Sequence, residues 1–202
     1  MEEKELDEKE SIKLISQMIA NSKNRLKLGS GNTFLLWGYI TTIVALAVWS
    51  LVYFTGNGLW CFGWFAIPII GWPFTYFLTK RTSKQVITYT DKVIDNIWAI
   101  LGIMSFFAIV VLMITNTMNI MLPLTLILCG IGTSFTGIVI RDRWLTFLPA
   151  ISFIIGLYLL GVLVQNKNTI DITWFLIFGA CFVIMMIIPG HLLNSKAKKE
   201  NV

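Results

Sequence analysis

Between Phe34 and Thr79 the chain contains no Asp, Glu, Lys, Arg or His. A water-soluble domain cannot bury an uncharged run of that length. It is long enough for two membrane crossings of about 20 residues each. The rest of the chain follows suit: only 13% of the residues are charged and 56% are hydrophobic, whereas a soluble domain carries about 25% charged residues.

Breaks in hydropathy and turn chemistry divide the chain into six apolar segments, 33–55, 59–79, 97–115, 120–140, 144–165 and 173–192. At 1.5 Å rise per residue each makes about 30 Å of helix, the thickness of a bilayer core. The breaks read Thr55-Gly56-Asn57-Gly58, Asn116-Thr117-Met118-Asn119, Arg141-Asp142-Arg143 and Gln165-Asn166-Lys167-Asn168-Thr169. These are turn-forming residues. The expected fold is all-α, a polytopic membrane protein whose six transmembrane helices form three antiparallel hairpins, because connections this short join neighbours. Residues 1–31 form a cytoplasmic segment, 32–193 the bundle and 194–202 a short basic tail.

Charge sets the orientation. With six crossings, the termini and the loops at 80–96 and 141–143 share one side. Of the 16 Lys and Arg residues, Lys167 alone falls on the other. The positive-inside rule then makes both termini cytoplasmic, in a bacterial inner membrane. The N-terminal sequence MEEKELDEKE has no apolar signal region, so the first span is expected to direct insertion. The net charge of +5 is juxtamembrane and suits anionic lipid headgroups. No nucleic-acid partner is needed to explain it. Trp37, Trp98 and Trp144 near one set of span ends, and Trp49, Trp60, Trp64 and Trp174 towards the other, fit an interfacial belt. Trp72 lies deeper.

Small residues recur four apart. In the fourth span, 129-CGIGTSFTG-137 pairs Gly130 with Ser134, Gly132 with Thr136 and Thr133 with Gly137. Gly38 with Thr42, and Ser152 with Gly156, repeat the pattern in the first and fifth spans. Such pairs let helix backbones approach closely, so these three spans are expected to meet. The alternatives are a seam to a second copy of the chain or a small polar cavity. Pro68 and Pro73 in the second span, and Pro149 in the fifth, remove backbone donors and mark candidate kinks.

The spans lack the residues for most chemistry. Apart from His191 at the end of the sixth, no acid, base or histidine lies within one. Ion-coupled transport and proton relays ordinarily need such a group. Ser105, Ser134 and Ser152 have no base nearby in sequence. Cys61, Cys129 and Cys181 show neither metal-ligand spacing nor a disulfide pattern. No catalytic residue, cofactor or metal is expected.

Two cytoplasmic stretches look amphipathic. Ile12, Ile15, Met18 and Ile19 recur at helical spacing, followed by Lys23, Arg25 and Lys27. Gly29-Ser30-Gly31 is expected to end this helix. In 80-KRTSKQVITYTDKVIDN-96, Thr82 and Gln85 suggest a capping box before a helix that runs into the third span. Both surfaces could cover lipid or receive a cytoplasmic partner.

The stretch 31-GNTFLLWGY-39, following an amphipathic helix, resembles uncharacterised six-helix bacterial inner-membrane proteins with an FLLWG-like first-span entry. The resemblance spans about the first eighty residues and implies no activity. The three-hairpin outline is also similar to the acid-resistance membrane family, without a shared motif. A faint echo, NTFLLWGY, DNIWAILG and DRWLTFLP, begins each hairpin. The expected role is a non-enzymatic scaffold or regulatory component acting through its cytoplasmic helices. The alternative is a carrier or channel for a small neutral or apolar solute, using the Pro68–Pro73 region against the fourth span.

Overall fold

The computed structural model describes residues 8–82, 89–165 and 170–200. Every described element is helical. Helix α1 spans Glu8–Thr55, and a 3-10 segment Gly58–Phe65 leads into α2, Ala66–Thr82. Helix α3 is Tyr89–Ile114, and a 3-10 turn, Met118–Ile120, leads into α4, Met121–Ile140. Helices α5, Arg143–Phe147, and α6, Pro149–Gln165, share one span. The last is built from α7, Thr173–Phe182, a π-helical segment Val183–Ile187, and α8, Ile188–Glu200.

Six stretches are long and apolar enough to cross a membrane: Gly31–Thr55, Gly58–Leu78, Tyr89–Ile114, Met118–Ile140, Arg143–Gln165 and Thr173–Lys199. The chain is accordingly read as a multi-pass membrane protein. The third helix starts earlier than the apolar segment, absorbing part of the preceding loop. The capping-box residue Gln85 lies outside the described residues.

One expected stop does not stop a helix. Helix α1 continues through Gly29-Ser30-Gly31. At Gly31 the missing side chain serves packing, because a Cβ there would come within 2.2 Å of Asn194 Oδ1 and 3.0 Å of the Gly190 carbonyl. The sixth span also runs past Pro189-Gly190. A proline ring clashes with the carbonyl four residues earlier and leaves it without a donor. Immediately ahead of Pro189 the backbone widens into the π turn, where the Ile188 N–H bonds to the Val183 carbonyl. That turn accommodates the proline.

Other ends behave as turn chemistry dictates. Gly56 takes φ 63° after α1, Asn116 takes φ 54° after α3 and Arg141 takes φ 60° after α4. The N–H of Thr117 bonds to the Leu112 carbonyl at 2.9 Å, and that of Asp142 to the Gly137 carbonyl at 3.0 Å, so both helices close with Schellman motifs. Pro149 interrupts the fifth span, separating α5 from α6. Pro68 sits in the first turn of α2, where a missing N–H costs little, and Pro73 lies inside that helix.

The most extensive contacts join one pair of spans at opposite ends of the sequence and one pair of consecutive spans. The first span packs along the sixth, and the fourth along the fifth. The fifth and sixth touch through α6 and the π segment, while α2 lies against α1 and α3 against α4. The lateral order is therefore second, first, sixth, fifth, fourth, third. The first and third spans meet at one end, where the Phe34 and Trp98 rings pack edge-on at 6.4 Å. The core is centred on Ala45, Val48, Leu126, Leu159, Leu163, Phe178 and Met185, all almost fully buried.

Candidate functional site

Polar and charged side chains gather at one end of the bundle, where α1 crosses α8. Gly31 and Gly190 form the crossing. A Cβ on Gly190 would meet Leu35 at 3.0 Å and the Gly31 carbonyl at 3.2 Å. With the backbones this close, Asn194 Nδ2 donates to Asn32 Oδ1 at 2.8 Å. One turn further into the bundle, the Tyr39 hydroxyl and His191 Nε2 lie 2.7 Å apart. A cleft of about 580 Å³ opens beside them, lined by Asn32, Leu35, His191, Asn194, Ser195, Ala197 and Lys198.

Asp142 ties the α4–α5 turn to this end. Its Oδ1 accepts the Leu145 N–H at 3.1 Å and caps α5. Its Oδ2 is paired with Lys196 Nζ on α8. Burial pushes the Asp142 pKa up, but the Lys196 ammonium and the N–H groups of Leu145 and Trp144 outweigh it and hold the carboxyl below its usual range. The arrangement supplies charge and hydrogen bonds at the membrane boundary. Among the described residues, no three His, Cys, Asp or Glu side chains converge as a metal site would require.

The small residues predicted to bring three spans together divide between two seams. The fourth and fifth spans do meet. A Cβ on Gly130 would come within 3.2 Å of the Pro149 carbonyl and 3.3 Å of Phe153, one on Gly137 within 2.5 Å of the Leu145–Thr146 backbone, and one on Gly156 within 3.0 Å of the Pro123 carbonyl. The first span instead uses its small residues on the sixth, which corrects the expected three-way meeting. A Cβ on Gly38 would reach 2.7 Å from Ile187, and Thr42 Oγ1 donates to the Gly179 carbonyl at 3.4 Å. The reason is geometric: small-xxx-small pairs permit close approach but do not name the partner.

The hydroxyls are mostly spent on backbone. Thr133 donates to the Cys129 carbonyl at 2.7 Å, and Ser152 to the Cys181 carbonyl across to the sixth span at 3.2 Å. Ser134 is half-buried in a shallow, largely apolar groove of about 240 Å³ between α4 and α6, with Gly130, Phe135 and Phe153. The groove faces outward. Pro68 and Pro73 are exposed and Pro149 is buried. The expected apposition of Pro68 and Pro73 with the fourth span is not formed, since α2 packs on α1 while α4 packs on α3, α5 and α6. Trp72 is 74% exposed on the outer face.

One constellation escaped the sequence reading. Trp37 Nε1 donates to Thr75 Oγ1 at 3.1 Å, and its ring covers Gly71, where a Cβ would meet it at 2.7 Å. Trp98 Nε1 donates to Thr136 Oγ1 at 3.2 Å, beside Gly132. Both threonines also donate to the glycine carbonyl four residues back, at 2.7 and 2.8 Å. In both cases Trp and Thr are 38 residues apart. The signal was present as 71-GWPFT-75 and 132-GTSFT-136, each the same distance after a tryptophan. It lies at the second helix of each pair, whereas the echo noted above lies at the first. The third pair lacks it: 179-GACFV-183 keeps Gly and Phe, with Val in place of the hydroxyl.

On the N-terminal arm, Ile12 is 65% exposed. The backbone of Ile15, Met18, Ile19, Lys23, Arg25 and Lys27 belongs to α1, and their side chains lie outside the described set. Comparison with known proteins finds no matching family model, no matching curated protein and no matching solved structure.

Proposed function

We propose that the protein is a non-enzymatic, multi-pass inner-membrane component that presents an N-terminal helical arm to a cytoplasmic partner, as a scaffold or regulator. One observation carries this reading: α1 is unbroken from Glu8 to Thr55, while its membrane-crossing part begins at Gly31. A stiff helix transmits displacement or orientation from a bound partner into the span it continues. That span packs along the sixth, so its movement would be shared across the bundle. In this reading the arm's apolar side and its basic run near the bilayer face partner and anionic lipid. The cytoplasmic placement of both termini rests on the charge asymmetry of the loops.

The test is crosslinking in native membranes with photoreactive residues at Ile12 and Ile15. Full-length protein is compared with a variant carrying Leu28→Pro, which breaks the arm from the span. The reading expects a discrete crosslinked partner whose regulated output is lost when the helix is broken, although the partner still binds. Crosslinks to lipid alone would refute it. Orientation is tested in a cysteine-free background. Asn57→Cys and Asn166→Cys should label from outside and Ser83→Cys only after permeabilisation. The carrier reading loses its motivation, because α2 and α4 do not face each other.

A further inference from the structure

The cleft between α1 and α8 has the wrong chemistry to be mere packing. His191, Asn194, Ser195 and Lys198 are spaced i, i+3, i+4 and i+7, so they form one stripe along α8. That stripe faces Asn32 and Leu35 of α1 across about 580 Å³. Two of the four are positioned by α1, since Asn32 holds Asn194 and Tyr39 holds one ring nitrogen of His191. Lys198 and Ser195 have no recorded partner among the described residues. Among the described residues no Asp or Glu lines the cleft, and the nearby Asp142 is already paired with Lys196. What remains is an ammonium, a hydroxyl and a second imidazole nitrogen on three residues that line one opening, with no carboxylate among the described lining residues to meet them.

We propose that this cleft binds a phosphate-bearing anion. A lysine ammonium acts as a point charge for phosphate, and the hydroxyl and imidazole supply directed hydrogen bonds to its oxygens. The space exceeds that of a phosphate alone, leaving room for a glycerol headgroup or a second phosphoryl group. Asn32 adjoins Gly31, where the first crossing begins, so the cleft opens at headgroup depth. Leu35 gives it an apolar wall towards the bilayer interior. The same chemistry would accept the headgroup of an anionic phospholipid or a soluble phosphate compound. The site does not depend on the partner reading of the arm.

The experiment is native mass spectrometry of the full chain in mild detergent, titrated with phosphatidylglycerol or phosphatidylcholine, with and without inorganic phosphate. Wild type should retain one equivalent of phosphatidylglycerol in preference to phosphatidylcholine. Lys198→Gln should weaken that retention about fivefold, one lysine's share of the attraction. Ser195→Ala should weaken it less, and Lys199→Gln, which removes the same charge outside the cleft, should leave it unchanged. If inorganic phosphate displaces the lipid and itself binds in a Lys198-dependent way, the site stands and its ligand is soluble. Equal retention of both lipids, or equal losses from the Lys198 and Lys199 variants, would overturn the proposal, because the attraction would then be diffuse charge.

Discussion

Asp142 offers the sharpest test of how the bundle is tied together, because one carboxylate performs two separable tasks. Oδ1 caps α5 through the Leu145 N–H and Oδ2 pairs with Lys196 on α8. Replacing Asp142 with Asn preserves an acceptor for the cap and removes the charge; replacing it with Ala removes both. A lost N-cap costs about 1 kcal/mol. A charge-assisted hydrogen bond contributes about 1.5–3 kcal/mol when buried, but an exposed ion pair is worth only 0–1 kcal/mol. Here Asp142 is 7% exposed and the Lys196 side chain 43%, so an intermediate value of about 1–2 kcal/mol is expected. Asp142→Asn should therefore cost about 1–2 kcal/mol and Asp142→Ala about 2–3 kcal/mol. Lys196→Gln should cost at least as much as Asp142→Asn, because it leaves the more buried partner charged, whereas Lys196 can rehydrate.

The pH dependence has a definite sign. The Asp142 carboxyl lies below its usual range in the folded protein, so its contribution is fully present above the ordinary carboxylate pKa of about 3.9. It fades as pH falls through the lower folded value. The wild-type and Asn curves should run parallel from neutral pH down to about 4 and converge only below it. The assay is unfolding by SDS in mixed micelles, followed by tryptophan fluorescence, with Asp142→Asn, Lys196→Gln and the double variant completing a cycle. A coupling energy indistinguishable from zero, or convergence already at pH 6, would show that the pair does not hold the α4–α5 turn to α8.

Gly137→Ala should destabilise by about 3 kcal/mol in the same assay, since its Cβ would sit 2.5 Å from the Leu145–Thr146 backbone. Gly102→Ala, with nothing within 4 Å, should be neutral or stabilise by up to about 1 kcal/mol. Trp37→Phe and Trp98→Phe should each cost about 0.6–1.7 kcal/mol, the range for hydrogen bonds between membrane helices. Thr75→Val should add little in the Trp37→Phe background, and a large additive loss would deny the pairing. Deleting residues 1–28 should leave the thermal midpoint of the detergent-solubilised bundle within about 4 °C, a shift that corresponds to less than about 1 kcal/mol. A larger fall would make the arm part of the core.

The six membrane-competent helices were legible because burying charge in a bilayer is so unfavourable that its absence marks each apolar span. The ends at Gly56, Asn116 and Arg141 were equally local, set by backbone preference. Gly29-Ser30-Gly31 and Pro189-Gly190 look like breaks for the same local reason, yet both lie within continuous helical spans. In the fold Gly31 and Gly190 let α1 and α8 touch, and a π turn accommodates Pro189. That contact then assembled His191, Asn194, Ser195 and Lys198 opposite Asn32, residues that are remote in sequence and individually unremarkable. Pairing of the first span with the sixth was hidden because glycine permits any close neighbour and specifies none. Hydropathy and turn chemistry, acting along the chain, were enough to mark six stretches long and apolar enough to cross a membrane and to say roughly where each lies. Which helix meets which, and therefore where a cleft with unpaired donors can exist, depends on shape complementarity between distant surfaces and was decided only in the folded bundle.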